Sequence, residues 1–262
     1  MPDEVGDLII SGAYETGLIT RKSVDSLLAV EDVAGEISRG LGDSSGSGSV
    51  FLVTVLADDS QSIFRENSAP LVAEGHNGII DELKQISSGD TSDGILLFTR
   101  YINGKVLNPC TTLEQTTLMD LRTYQEGGTT PLYDQSVITL GTVIAKAAQL
   151  TARGGKVRTF TLIITDGADE YSSSASAQSV AWIVGDMLLT GNHIVAAMGV
   201  NDGRTDFQAV FSEMGIKPGW ILNPDNSRDK IRKAFREVTG ALTLAAGSED
   251  SFIALALGPG FA

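Results

Sequence analysis

The sequence predicts an α/β protein with a doubly wound, mostly parallel sheet and helices on both faces. Three observations carry this. Apolar runs of strand length alternate with segments of helical periodicity along most of the chain. The runs are almost continuously apolar, as strands buried on both faces are, and lack the alternation of a half-exposed sheet. Finally, 262 residues, 42% hydrophobic and 20% charged, suffice to enclose the core of one main domain.

Taken in order, Ser23 opens a helix marked by Val24, Leu27, Leu28, Ala34, Ile37 and Leu41 at roughly helical spacing. The tract Gly42-Asp43-Ser44-Ser45-Gly46-Ser47-Gly48-Ser49 has linker composition. Val50 to Ala57 is the first buried strand, and Val72, Ile79, Ile80, Leu83 and Ile86 mark the next helix. Gly94 to Phe98 is a second strand, and Lys105-Val106-Leu107 offers a third. A long helix covers Leu132 to Leu150, followed by a strand from Val157 to Thr165. Trp182, Ile183, Met187 and Leu188 lie on a helix, and Ile194 to Val200 form a strand. Phe207, Val210, Phe211 and Met214 mark another helix, Trp220-Ile221-Leu222 a short strand, and Ile231, Phe235 and Val238 the last helix. Beyond Gly240 the pattern fades. Ser251 to Leu257 reads as a swapped or docking strand, or as an edge strand covering its own domain. The division expected is therefore 1–48 as a helical extension with linker, 49–240 as the main domain and 241–262 as an apolar tail.

Acidic residues outnumber basic ones 33 to 19, for a net charge of −14, which argues against nucleic acid and anionic membrane as partners. The densest basic stretch, Arg228 to Arg236, contains Asp229 and reads as a solvated helix face. The single cysteine, Cys110, excludes a disulfide framework within the chain, and two histidines, His76 and His193, are too few for a multi-histidine metal site. Met1-Pro2-Asp3-Glu4 is acidic where a signal peptide is basic, and no apolar run approaches about 18 residues. A cytoplasmic protein is the expectation.

In an open α/β sheet, ligands bind beyond the carboxyl ends of the strands. The first strand runs into Asp58-Asp59-Ser60-Gln61-Ser62, which in an extended turn sets Asp58, Ser60 and Ser62 on one side. The strand ending at Thr165 runs into Asp166-Gly167, and Gly127-Gly128-Thr129-Thr130-Pro131 opens the long helix. Two carboxylates and three hydroxyls are hard donors, too weakly charged for a tight calcium cage. They suit a six-coordinate Mg²⁺ or Mn²⁺ with a position open to an outside carboxylate.

Asp58-x-Ser60-x-Ser62 after a buried strand, Gly-Gly-Thr129 before a helix and Thr-Asp166-Gly after another strand resemble the von Willebrand factor A (vWA) domain, whose signature DxSxS…T…D is the metal-ion-dependent adhesion site (MIDAS). The likeness covers roughly residues 49–240 and extends to the bacterial intracellular branch in Gly127-Gly128-Thr129-Thr130-Pro131-Leu132. It implies that Asp58, Ser60, Ser62, Thr129 and Asp166 form the metal shell. The ligand threonine follows the glycines directly, hence Thr129 and not Thr130. Gln61 and Ile63 stand where the family often has Gly and Met, a departure that affects packing and not ligation. The resemblance also implies an adaptor or scaffold beside AAA+ ATPases, in chelatase-like or stress-response assemblies, with a partner's Asp or Glu completing the coordination.

Plainer readings stand beside these. Asp58, Ser60 and Ser62 are also good caps for a following helix. Asp59 reads as a solvated neighbour or an outer charge, and Asp169 and Glu170 as an exposed loop or holders of water around the ion. Gly42-Asp43-Ser44-Ser45-Gly46 fits GxSxG, but a nucleophile elbow needs a strand before it and a helix after it. Cys110 reads as a packing residue, and both histidines as structural. The chain has no GxxxxGK[ST] and no GxGxxG after a strand. The shell contains no evident base or nucleophile, so a non-catalytic binding module is expected. Metal-assisted phosphoester hydrolysis remains an alternative, as does a subunit that self-assembles through its N-terminal helix or C-terminal tail.

Overall fold

The computed structural model describes residues 10–43, 48–88, 94–200 and 203–261. Within them the chain forms a six-stranded sheet of β1 (Ser49–Ala57), β2 (Gly94–Tyr101), β3 (Val106–Thr112), β4 (Lys156–Thr165), β5 (His193–Gly199) and β6 (Ile221–Leu222), in the order β3-β2-β1-β4-β5-β6. All neighbours are parallel except β3, which returns antiparallel along β2 at the edge. Its helices include α1 (Arg21–Leu28), α2 (Val33–Leu41), α3 (Gln61–Arg65), α4 (Ala69–Ser87), α5 (Leu132–Ala152), α6 (Ala177–Leu189), α7 (Phe207–Glu213), α8 (Arg228–Gly247) and α9 (Glu249–Leu257). This is the doubly wound, mostly parallel α/β architecture with helices on both faces that the sequence predicts.

β1 is central because every residue from Val50 to Ala57 is buried and can sit between two neighbours and two helical layers. From β1 the chain crosses one face through α4 to reach β2; from β3 it crosses the other face through α5 to reach β4. The rule of right-handedness applies to the parallel pairs β1 to β2 and β2 to β4 (the latter by way of edge strand β3), and because these run in opposite directions along the sheet, α4 and α5 lie on opposite faces. The direction of winding reverses between β1 and β4, and a crevice opens at their carboxyl ends.

Four elements differ from the sequence reading. The first helix is two, α1 and α2, separated by a break at which Asp32 takes a left-handed φ of 52°. Ser23 lies inside α1 and not at its start. Thr20 is the N-cap residue but makes no side-chain cap; instead Asp186 of α6 accepts bonds from Thr20 N (2.6 Å), Thr20 Oγ1 (2.9 Å) and Ser23 Oγ (2.5 Å). α1 and α2 thus cover the outer side of α5, where Leu27 and Ile37 meet Gly141. A Cβ at Gly141 would lie 2.6 Å from Leu27 Cδ2, so glycine sets how closely the helices approach. Glu36 adds an ion pair to the buried Arg100 of β2.

β3 is longer than the three residues expected, because an edge strand tolerates Asn108 and Pro109. Trp220 lies in a 3₁₀ turn, which leaves β6 two residues. Finally, the C-terminal segment is helical and not a strand. α8 continues to Gly247, and Ser248 then caps α9, its hydroxyl accepting from Ser251 N at 3.1 Å, with Glu249 and Asp250 in the first turn. That is a helix start by both cap and dipole. Phe252 packs edge-on to Phe51 at 6.3 Å, and Arg158, buried between the two rings, donates to Ala245 O and Ser248 O at 3.0 and 2.6 Å.

Of the Gly/Ser tract, residues 44–47 lie outside the described residues. No helix among the described residues is long and apolar enough to cross a membrane.

Candidate functional site at the switch point

Asp58 follows β1 directly, its amide bonded to Ile164 O at 2.9 Å, so it sits at the crevice between β1 and β4. One carboxylate oxygen accepts from Ser60 N at 2.7 Å and the other from Thr165 Oγ1 at 2.6 Å. Tyr124 donates its phenol to the Asp58 carbonyl from below. With both oxygens bonded and no exposed surface, Asp58 is fixed in one orientation.

Ser60 and Ser62 continue from it. Ser60 occupies the N-cap position of α3 with extended backbone, yet its hydroxyl makes no cap bond. It pairs instead with Ser62 Oγ at 3.0 Å, and Ser62 Oγ donates to Asp166 Oδ1 at 2.8 Å. The capping reading is therefore not what these hydroxyls do. A continuous chain of oxygens, Ser60 to Ser62 to Asp166, closes across the crevice beside Asp58.

Asp166, at the end of β4, is 2% exposed, and its Oδ2 is buried without a hydrogen-bond partner. Burial, then the charge of Asp58, push its carboxyl up to about 7, against the pull of the Ser62 hydroxyl. A buried carboxylate oxygen with nothing to bond is costly unless a cation or proton serves it.

Thr129 is held close by its neighbour: Gly128 bridges to Ser60, and Gln61 N donates to Gly128 O at 3.3 Å. Gly128 takes a φ of 98°, the left-handed region that favours glycine. Thr129 itself is exposed, and its hydroxyl is not joined to the hydrogen-bonded set of the other four residues. Thr130, the alternative, is buried. The structure thus links Asp58, Ser60, Ser62 and Asp166 directly and brings Thr129 near through backbone alone.

Several neighbours take roles that the sequence did not assign to them. Thr165 and Tyr124 orient Asp58, and nothing in the local pattern marks Tyr124. Asp59 is wholly buried, which overturns the first of its two sequence readings, a solvated neighbour, and leaves the second, an outer charge. Its Oδ1 accepts from Asn103 N at 3.0 Å, and burial pushes it up to about 7, with the Asp58 charge adding to the effect. Asp169 is a helix cap, accepting from Tyr133 N at 3.0 Å at the start of α5.

The other candidate groups lie elsewhere. His76, on α4, bonds Thr99 Oγ1 of β2 at 2.9 Å, and His193 of β5 bonds Thr159 Oγ1 of β4 at 2.7 Å; burial lowers each imidazole to about 4. Cys110 is buried, its thiol pushed up to about 12 by desolvation, which removes it as a nucleophile. Among the described residues no three His, Cys, Asp or Glu side chains converge on one point. Any cation here would rely on two carboxylates and on hydroxyls. That donor set, with one carboxylate oxygen orphaned, fits a hard divalent ion of magnesium type.

No protein-family model and no curated protein matches the chain. Among solved structures, proximal thread matrix protein 1 from the mussel byssus is similar at TM-score 0.47 and 15% identity, over 75% of this chain and 47% of that one. The ArnB paralog VWA2 from Sulfolobus acidocaldarius gives 0.47 and 16%, over 74% and 46%. The pilus adhesin SpaC from Lactobacillus rhamnosus GG, in an open conformation, gives 0.48 and 12%, over 78% and 31%. The chain spans less than half the length of each of these three. Such distant likenesses do not reach to function.

Proposed function

We propose that the chain is a vWA-type protein-interaction module, an adaptor or scaffold, whose MIDAS holds Mg²⁺ or Mn²⁺ through Asp58, Ser60, Ser62, Thr129 and Asp166. The observation that carries this is the orphaned Asp166 Oδ2, buried beside Asp58 at the end of a hydroxyl chain in the switch-point crevice. When bound, the ion supplies a positive centre to which a partner's Asp or Glu carboxylate can ligate. Asp58 is held rigid by Ser60 N and Thr165 Oγ1, so it keeps its orientation with or without a ligand. The Ser60 and Ser62 hydroxyls can turn their hydrogens away and offer lone pairs to a cation. The partner fits a cytoplasmic setting beside an AAA+ ATPase-associated complex, a reading that rests on the sequence resemblance.

A hydrolytic role finds less support. His76 is bonded to Thr99 and His193 to Thr159, and the hydrogen-bonded set around Asp58 and Asp166 contains no imidazole. The basic groups at the crevice are carboxylates, and the metal-binding reading assigns Asp58 and Asp166 to the ion and not to the activation of water.

Isothermal titration tests the reading. About one Mg²⁺ or Mn²⁺ should bind per chain, and Asp58→Ala, Asp166→Ala and the Ser60→Ala/Ser62→Ala pair should each bind far more weakly. Unchanged binding in both aspartate variants sinks the site. Affinity for a partner recovered by pull-down should collapse with EDTA and depend only modestly on salt, because this acidic chain has no basic patch to steer with. A partner held equally well in EDTA overturns the functional reading.

A further inference from the structure

The helix that follows Thr129 begins without a cap of its own. Pro131 stands at the N-cap of α5 and offers no side-chain acceptor, so the first amides of α5 need partners from elsewhere. They come from the 166–176 loop. Asp169 Oδ1 accepts from Tyr133 N at 3.0 Å, and Ser172 Oγ accepts from Asp134 N at 2.9 Å. The loop is bound in return by the helix. The Asp134 carboxylate, nearly buried, accepts from three consecutive loop amides: Ser173 N at 2.9 Å, Ser174 N at 3.2 Å and Ala175 N at 2.6 Å. Successive amides turned to one point form an anion nest, here filled by an internal carboxylate. Glu170 N adds a bond to Thr130 O at 3.2 Å, one residue from Thr129.

We propose that Asp134 and Asp169 are positioning residues for the candidate metal site, locking the loop that carries Asp166 to the segment that carries Thr129. Neither touches the Asp58–Ser60–Ser62–Asp166 set. Each instead makes two otherwise independent donors, one after β4 and one before α5, move as a single body. The inference rests on the metal-binding reading above. Outer groups that orient ligands in this way typically hold about 10–100-fold of metal affinity.

The test is Mn²⁺ titration of wild type, Asp134→Ala, Asp169→Ala and Asp169→Asn, with Asp186→Ala as control. Asp186 anchors α1 through a comparable set of bonds far from the crevice, so it reports loss of stability alone. The two loop alanine variants should lose about tenfold or more in affinity. Asp169→Asn keeps an acceptor for Tyr133 N and should retain most of it, and Asp186→Ala should bind within about twofold of wild type. In the metal-free proteins, amide exchange at Ser173 to Ala175 should quicken in Asp134→Ala and not in Asp186→Ala. Wild-type affinity in both loop alanine variants overturns the inference while leaving the metal site standing. So does an equal fall in Asp186→Ala. A wild-type chain that takes no Mn²⁺ overturns the metal reading itself, and this inference with it.

Discussion

Asp166 and Asp58 are two carboxylates facing one crevice, and without a cation their proximity is a cost. Asp166→Asn removes the like charge and leaves the side chain's volume unchanged. The metal-free variant should therefore be as stable as wild type at pH 8, or more stable by on the order of 1 kcal/mol. Its melting temperature should no longer rise with Mg²⁺. A variant clearly less stable than metal-free wild type would mean that Asp166 serves packing and not an ion. The histidines make a separate case. Each is buried neutral, with its folded pKa near 4 against an ordinary 6.5. The unfolded chain takes up these protons first, so stability is unaffected above about pH 6.5, falls below it, and levels off beneath pH 4. The full loss is about 3 kcal/mol per histidine. Asp59 and Asp166, raised to about 7, work in the opposite sense over an overlapping range. The His76→Gln/His193→Gln variant isolates the histidines: between pH 7 and 4 it should lose less stability than wild type, by several kcal/mol. Parallel pH profiles would show that the imidazoles titrate freely. At this scale the donor motifs were readable because DxSxS and TDG are local. Tyr124 under Asp58 was not, since 66 positions separate the two and nothing nearby signals the contact.

Among the elements, α1 and α2 show what periodicity can and cannot supply. Val24, Leu27, Ile37 and Leu41 were legible as an apolar face, and all four are buried. What they bury against was not, because Asp186 and Gly141 lie more than a hundred residues away and carry no mark of the pairing. Asp186→Ala leaves Ser23 Oγ and Thr20 N without their acceptor, at a cost of about 1–3 kcal/mol. A protease site inserted between Ser45 and Gly46 gives a sharper test. After cleavage the two pieces should co-elute on size exclusion, held by Leu27 and Ile37 on α5 and by the Glu36–Arg100 pair. Pieces that separate under native conditions would mean that the N-terminal helices dock weakly. The C-terminal strand expectation failed for a related reason. Phe252, Ile253, Leu255 and Leu257 are apolar enough for a strand, and only Ser248-Glu249-Asp250-Ser251, a cap signal, tells that the run is helical.

Over the whole molecule the alternation of strands and helices was legible, and the strand order was not. Alternation is local, whereas β1 becomes central only because α4 and α5 cross opposite faces of the sheet. The termini extend that layering. On one side α1 and α2 cover α5; on the other side of the sheet Phe252 covers Phe51 and Arg158, and Phe261 packs on Trp220 at 4.9 Å. A core continuous through both end segments should unfold as one unit. The two tryptophans can report this, since Trp182 lies on α6 against Lys22 of α1 and Trp220 lies under the C-terminal residues. In denaturant, Trp182→Phe and Trp220→Phe single-tryptophan proteins should show coincident midpoints, also coincident with circular dichroism. Phe252→Ala, which empties the space beside Phe51 and uncovers Arg158, should cost about 3–5 kcal/mol. Made in either background, it should lower both midpoints equally, although Trp182 lies on the far helical layer. A Trp182 transition left in place while that of Trp220 shifts would divide the chain into two units, with the N-terminal helices and α6 in one and the C-terminal helices in the other.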